Sequence, residues 1–385
     1  MPYLSSCKPL LLPLFFSALV ASPALAQPET SAQNVLLVTL DGLRWQEVFR
    51  GLDERLAASE EFNPAGAALR EHFGAQEEVS SAERLLPFLH QVVFRQGSVV
   101  GNRDAASCAQ VTNPWYFSYP GYNEILTGVA DPAIDSNDAE PNPNITVLEW
   151  LNRQPDYTGK VAAFTSWDVF GAIINTERSG VPVNTGAKDQ PQTTFEEALN
   201  RLHRDIPQPW PTVRHDAFTH HYALSELQHR KPRMLYVAYG ETDDFAHDGR
   251  YDQVLMAAQR TDGFLRELWE TIQADPTYHD NTVMLITTDH GRGSEPLETW
   301  RHHASKKSLD GYMEALAQYE EGIVGSEAVW IAALGPGIAA GGSKSTAACT
   351  GANQVASTLL ELLGFDWRQY NPQAGAPLSE LLAEP

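Results

Sequence analysis

Three uninterrupted apolar runs in this chain each stop at an acid. Residues 35–40 run into Asp41, residues 234–239 into Glu241-Thr242-Asp243-Asp244-Phe245-Ala246-His247, and residues 283–288 into Asp289-His290. Strands buried on both faces of a parallel sheet carry such runs, and open α/β sheets bind ligands in the crevice beyond the carboxyl ends of their strands. The pattern therefore predicts three acids and two histidines converging on one sheet edge.

Between the second and third runs, residues 251–273 predict a helix with Leu255, Phe264, Leu265, Leu268 and Ile272 on one side. The result is a strand-helix-strand unit, which in a parallel sheet is a right-handed crossover. Elsewhere the pattern predicts a helix over 82–91 interrupted at Pro87, a helix from Thr146, a strand over 160–165, an amphipathic helix over 215–228, a late edge strand over 329–334 and a final helix over 354–363 that stops at Gly364. Residues 131–144, rich in Pro, Asp and Asn, and residues 175–194 read as long loops, the latter as part of a lid. No internal repeat is present. A chain of 385 residues accommodates one elaborated α/β domain, expected over residues 27–385.

The first 26 residues read differently. Lys8, an apolar stretch over 10–20 and Ala24-Leu25-Ala26 have the order of a signal peptide cut before Gln27. The apolar stretch is short for a bilayer span and contains Pro13, and no later run is long and apolar enough to cross a membrane. The mature protein is expected to be soluble and exported, periplasmic or secreted. The formal charge of the full chain is -22, and removing Lys8 makes it more negative. This argues against nonspecific nucleic-acid binding and against anionic membrane surfaces. Cys108 and Cys349 remain after cleavage; an oxidising compartment permits their pairing, and spacing alone leaves it open.

Carboxylate oxygens and imidazole nitrogens are the donors zinc takes, so the acid-tipped runs point to metal-dependent chemistry. Asp243 and His247 stand in D-x-x-x-H, one face of a helix; Asp244 offers a competing D-x-x-H. Asp289-His290 is followed by Gly291-Arg292-Gly293, which allows a tight turn beneath an ion. A nucleophile candidate, Ser118, opens Ser118-Tyr119-Pro120-Gly121-Tyr122-Asn123-Glu124-Ile125-Leu126-Thr127-Gly128. A serine hydroxyl needs a base or a metal to act near neutral pH. The other histidines, His215 and His220-His221, are expected on a solvated helix face.

Taken together these motifs resemble the alkaline phosphatase superfamily, in the style of its type I phosphodiesterase/nucleotide pyrophosphatase-like branch. That branch carries Thr-Phe-Pro-Asn-His-Tyr-Thr-x-x-Thr-Gly at its nucleophile, and residues 118–128 match its length and its closing Thr-Gly without a gap. The resemblance spans residues 35 to about 303 in the expected order. It implies a three-layer α/β/α sandwich around a central, mostly parallel sheet, with loop or cap insertions. It also implies two Zn2+ ions, one held by Asp243, His247 and His303, the other by Asp41, Asp289, His290 and the Ser118 oxygen. His302 competes with His303, because Ala304 stands where the family has a glycine after the ligand.

The implied reaction is hydrolysis of a small phosphate ester, monoester or diester, through a metal-activated Ser118 and a phosphoserine intermediate. Asn123 or Asn137 would bind a phosphoryl oxygen, and Arg292 or Arg103 would be the cation that grips a monoester. Competing readings are a sulfatase or phosphonate hydrolase of the same superfamily, or a non-catalytic metal-binding protein on that scaffold. Against a sulfatase, Tyr122 stands where its Cys/Ser-x-Pro-x-Arg motif has Arg. A cytoplasmic phosphomutase conflicts with the signal peptide.

Overall fold

The computed structural model describes Tyr3 and residues 32–384, so the leader expected over 1–26 falls outside the described residues. Its strands are β1 (Asn34–Leu40), β2 (Ser98–Val100), β3 (Ala109–Gln110), β4 (Val161–Thr165), β5 (Val183–Asn184), β6 (Met234–Tyr239), β7 (Thr282–Thr287), β8 (Ala328–Val329), β9 (Ile331–Leu334), β10 (Gly342–Ser343) and β11 (Thr350–Gly351). Eight of them form one sheet in the order β10-β2-β9-β7-β1-β6-β4-β5, and β11-β3-β8 form a small second sheet. The run β7-β1-β6-β4-β5 is parallel throughout, whereas β9 lies antiparallel to both β7 and β2.

Strand alternation divides the core. Leu36, Val38 and Leu40 of β1, with Leu235 and Val237 of β6 and Ile286 of β7, face one apolar cluster. Val35, Leu37, Met234, Tyr236, Val283 and Leu285 face the other. Both faces are covered, which is why these strands read as continuous apolar runs.

Seven helices bear on the site: α1 (Ser118–Thr127), α2 (Val147–Asn152), α3 (Thr194–Asp205), α4 (Asp216–His229), α5 (Glu241–His247), α6 (Tyr251–Ala274) and α7 (Val355–Leu362). Apolar residues of α1, α2 and α7 join the cluster on one sheet face, those of α4 and α6 the cluster on the other. The result is the three-layer α/β/α arrangement. Thr146 and Thr193 cap α2 and α3, their side chains accepting from Glu149 N and Glu196 N. No helix among the described residues is long and apolar enough to cross a membrane.

Three expectations are corrected. The strand at 329–334 is not an edge: β9 pairs with β7 on one side and the three-residue β2 on the other. Residues 175–194 contain the helix Thr176–Ser179 and β5, and α3 begins at their end. The helix over 215–228 is not amphipathic, because α4 buries residues on most of its sides, His220 and Ser225 among them. The interruption expected at Pro87 is present: the segment divides into the helix Ser81–Leu85 and a π-helical turn Leu89–Val93, because proline cannot continue the backbone hydrogen bonding. Cys108 and Cys349 form a disulfide that ties β3 to the approach to β11.

Candidate active site

Parallel register brings the acids together. Leu40 lies opposite Tyr239 and Thr39 opposite Thr287, so β1, β6 and β7 end abreast and Asp41, α5 and Asp289-His290 leave from one edge. Ser118 is the first residue of α1, whose N-terminal amides favour a bound anion. This helix reaches the edge because residue 121 is glycine: a Cβ there would lie 2.4 Å from the Asp289 carbonyl oxygen. Gly42, at φ +59°, makes the turn after Asp41, where a Cβ would lie 2.7 Å from Asp243 Oδ1 and 2.8 Å from Arg292 Nε.

Two ligand sets share the edge. Donor atoms of Asp41, Asp289 and His290 all lie within 4.8 Å of one another, as do those of Asp243, His290 and His303. His290 Nε2 is 3.4 Å from Asp41 Oδ1, 3.4 Å from Asp289 Oδ2 and 3.7 Å from Asp243 Oδ1. His247 Nε2 lies 3.2 Å from Asp243 Oδ2 and 3.1 Å from His303 Nε2. Ser118 Oγ, 6% exposed as a residue, sits 3.4 Å from His290 Nε2.

The protein engages the rear of most of these groups and leaves their front atoms to the site. Asp41 Oδ2 accepts from Tyr122 Oη at 2.9 Å and Asp289 Oδ1 from Gly42 N at 3.1 Å, while Asp41 Oδ1 and Asp289 Oδ2 are buried with no hydrogen-bond partner. His290 Nδ1 faces the Gly291 carbonyl at 2.9 Å and His303 Nδ1 the Tyr116 carbonyl at 3.2 Å, which directs each Nε2 inward. Outer partners of this kind orient metal-bound imidazole and carboxylate. Two orphaned buried carboxylate oxygens are costly without a cation, and the donor set of carboxylate and imidazole suits a divalent one.

The electrostatics bear the same mark. Burial, reinforced by Asp243, raises the Asp41 pKa, and burial with Asp41 raises that of Asp289 well above the usual carboxylate value. Burial opposes charge on His290, yet Asp289 and Asp41 lift its pKa to about 9. Burial, with His290 nearby, pulls His303 well down. Asp243 is the exception: burial works against its ionisation, but Arg292 and His247 hold it well below the usual range. Its neighbour Asp244 is pushed up to about 9 by burial and by Asp243.

Asp41, Ser118, Asn137, Asp243, His247 and His303 line a cavity of about 300 Å³, with Asp244, Trp167 and Tyr312 also on its wall. Of the two competing acids, Asp243 meets the histidines. Of the two competing histidines, His303 joins the cluster while His302 lies at the side, its ring 6.4 Å from that of His247. Asn123 is a correction: it is fully buried, donates to the Val129 carbonyl and accepts from Asn142 and Asn144, so it fastens the 131–144 loop. Asn137 does line the cavity, and its Oδ1 accepts from Tyr119 N.

Arg292 and Arg103 do not line the cavity. Arg292 is bonded to Asp243 and to the Arg301 carbonyl, Arg103 to the Ala109 carbonyl. His220, expected on a solvated face, is buried between Tyr239 Oη and Glu267 and stacks on Phe264. His215 bonds Glu241. Tyr122 was missed as a partner of Asp41, although its position four residues after Ser118 puts both on one helix face.

A second residue of α1 anchors the helix that carries Ser118. Glu124 is fully buried and accepts from Thr112 N and Oγ1, Asn113 N and Nδ2, and Asn353 N. Asn113 in turn accepts from Tyr116 N, the residue whose carbonyl orients His303. Glu124→Ala is expected to cost about 3 kcal/mol or more, because several buried donors lose their acceptor at once. The shift in urea midpoint measures it.

A match to the family described as type I phosphodiesterase / nucleotide pyrophosphatase covers residues 118–333. No curated protein sequence matches the chain. Among solved structures, alkaline phosphatase PafA superposes with a TM-score of 0.58 at 11% identity, covering 92% of this chain and 99% of that one. Murine ectonucleotide pyrophosphatase / phosphodiesterase 5 gives 0.51 at 15% identity, over 91% of this chain and 100% of that one. A putative sulfatase from Bacteroides thetaiotaomicron gives 0.52 at 13%, over 91% of this chain and 73% of that one. At these identities the likeness is one of fold, and it agrees with the three-layer architecture and the parallel sheet edge. The family match over residues 118–333 takes in more than half of the chain, and the chain belongs to the type I phosphodiesterase / nucleotide pyrophosphatase family.

Proposed function

We propose that this protein is an exported, zinc-dependent hydrolase of small phosphodiesters that uses Ser118 as nucleophile. The observation that carries the reading is Ser118 Oγ, at a helix N-terminus, 3.4 Å from His290 Nε2 and beside two sets of inward-facing ligand atoms. Asp41, Asp289 and His290 would hold one ion beside Ser118, and Asp243, His247 and His303 the other. Bound zinc supplies Lewis acidity at the phosphoryl oxygens and the reacting oxygens.

The chain's own groups do the rest. Tyr122 and Gly42 N fix the rear oxygens of Asp41 and Asp289, and α1 directs Ser118 Oγ into the cavity. Asn137 Nδ2 steadies a phosphoryl oxygen. Attack by the deprotonated Ser118 Oγ forms a bond to phosphorus as the ester bond breaks, and the departing alkoxide takes a proton from water. Water then hydrolyses the phosphoserine and restores the hydroxyl.

The diester preference rests on charge. Among the described residues no Lys or Arg lines the cavity, and Trp167 and Tyr312 form part of its wall. A monoester dianion brings a second charge that no side-chain cation meets; a diester monoanion does not. The leader pattern and the Cys108–Cys349 disulfide both support export.

A rate panel of an aryl phosphate, an aryl phosphodiester, a phosphonate ester and a sulfate ester, run with metal analysis, tests the reading. The diester is expected to have the highest kcat/KM, by about tenfold or more over the monoester. Faster monoester turnover would overturn the diester assignment. Turnover of the sulfate alone would favour the sulfatase reading.

A further inference from the structure

Arg292 is a full positive charge that the expected chemistry does not use. It is 2% exposed and lies behind the cavity wall. Its Nη2 donates to Asp243 Oδ1 and to the Asp243 carbonyl, and its Nη1 donates to the Arg301 carbonyl at 2.7 Å. The space it fills exists because residue 42 is glycine: a Cβ there would sit 2.8 Å from Arg292 Nε and 3.2 Å from Nη2. The guanidinium is thus enclosed by three of the loops that carry ligands.

The oxygen it holds faces His290 and His303, while the other oxygen of Asp243 faces His247. Asp243 Oδ1 lies 3.7 Å from His290 Nε2 and 3.7 Å from His303 Nε2. The outer partners of the other ligand set include no permanent cation; the imidazole of His290 is itself a ligand and gives up its proton when an ion binds. Asp41 and Asp289 are fixed from behind by a phenol and a backbone amide, both neutral, and each keeps one oxygen unpartnered. The two sets differ by one built-in cation.

We propose that Arg292 competes with a divalent ion for Asp243, so that the position formed by Asp243, His247 and His303 is the weaker, exchangeable one of the two. Without that ion the guanidinium serves as its substitute and keeps Asp243 neutralised. The inference rests on the zinc reading given above. His247 adds to the asymmetry, since its side chain is 41% exposed and that position therefore opens toward solvent.

Two effects of deleting Arg292 oppose each other. Loss of an orienting partner loosens metal binding by roughly 10–100-fold. Removal of a full positive charge next to a divalent ion in a water-poor site tightens binding, and at these separations the charge effect is the larger.

Metal-free protein titrated with zinc against a chromophoric chelator separates the outcomes. The wild type is expected to bind two ions in two steps, and His247→Ala to remove the weaker step. Arg292→Met should tighten that step by about tenfold or more and leave the tighter one unchanged. In EDTA the same variant should melt below the wild type, with the gap narrowing in zinc. Arg292→Gln, neutral yet still able to bond the Arg301 carbonyl, should move in the same direction and serves if the Met variant does not fold. Equal affinities in the wild type, or a weaker step that Arg292→Met and Arg292→Gln leave unchanged or loosen, would overturn the inference while the zinc reading stands. A wild type that binds no zinc would overturn both.

Discussion

Ser118→Ala is expected to lower kcat/KM for a phosphodiester by roughly a thousandfold or more while the protein keeps both zinc ions. The two halves of this expectation have separate causes. Loss of Oγ removes the atom that would bond to phosphorus, and the neighbouring hydroxyls are engaged elsewhere: Tyr122 Oη is turned to Asp41 and Thr242 Oγ1 to the Asp41 carbonyl. Metal content should hold because three side chains remain at each position, and the partners of Asp41, Asp289, His290 and His303 do not involve Ser118. Rates joined to elemental analysis give the answer. Unchanged turnover with full metal would place the chemistry on another group, and loss of metal with turnover would make Ser118 chiefly a ligand.

The second large effect is on stability. Stripping the ions with a chelator should reduce the unfolding free energy by roughly 4 kcal/mol for each ion present at a thousandfold excess over its Kd. The ion-free protein should also become less stable as pH rises from about 5 to 9, with the sign following from linkage. Asp41 and Asp289 have raised pKa values in the fold, so the folded state keeps protons that the unfolded chain gives up, and stability falls as pH climbs past the unfolded carboxylate value. Asp244, pushed up to about 9, acts in the same direction.

His290 is lifted from 6.5 to about 9, so its contribution is complete below the lower value and is lost through the upper one. His303 opposes them only at the acid end, because a histidine pulled down in the fold gains stability as pH rises toward 6.5 and no more above it. Asp243, held low, loses its contribution only in acid. Among these residues of the site the four outweigh the one, and other lowered histidines such as His220 and His302, like His303, act only below 6.5. Melting temperatures with and without EDTA between pH 5 and 9 should diverge upward in pH, since bound ions hold the carboxylates ionised. A melting temperature that rises with pH in EDTA would contradict the account.

The sheet edge was legible because burial on both faces writes itself as uninterrupted apolar sequence, and because acids that end such runs stand out. The D-x-x-x-H spacing of Asp243 and His247 needed only the helical pitch. β2 was not legible: three residues, Ser98–Val100, are too few to show a period, and without β2 the strand at Ile331–Leu334 looked like an edge. His220 misled because Thr-His-His-Tyr is polar by composition, yet Tyr239 and Glu267 meet both ring nitrogens inside the fold. Arg292 and Asn123 show a different limit. Sequence placed both near the site, but which way a side chain points depends on neighbours from remote loops, Gly42 and Asp243 for one and Asn142 and Asn144 for the other.

Where α1 meets the end of β7, the contact is peptide against peptide, with the Asp289 carbonyl at the spot a Cβ of residue 121 would claim. The distance between Ser118 and the Asp289-His290 turn is therefore written into main-chain geometry, which ordinary substitutions do not edit. Of the aromatic residues on the cavity wall, Tyr312 packs against Phe117 beside Ser118, whereas Trp167 takes its ring contact from Phe170. The wall at Trp167 is therefore the portion that evolution or an engineer is freest to rewrite, and different esters would be admitted there while Ser118 stays where the backbone put it.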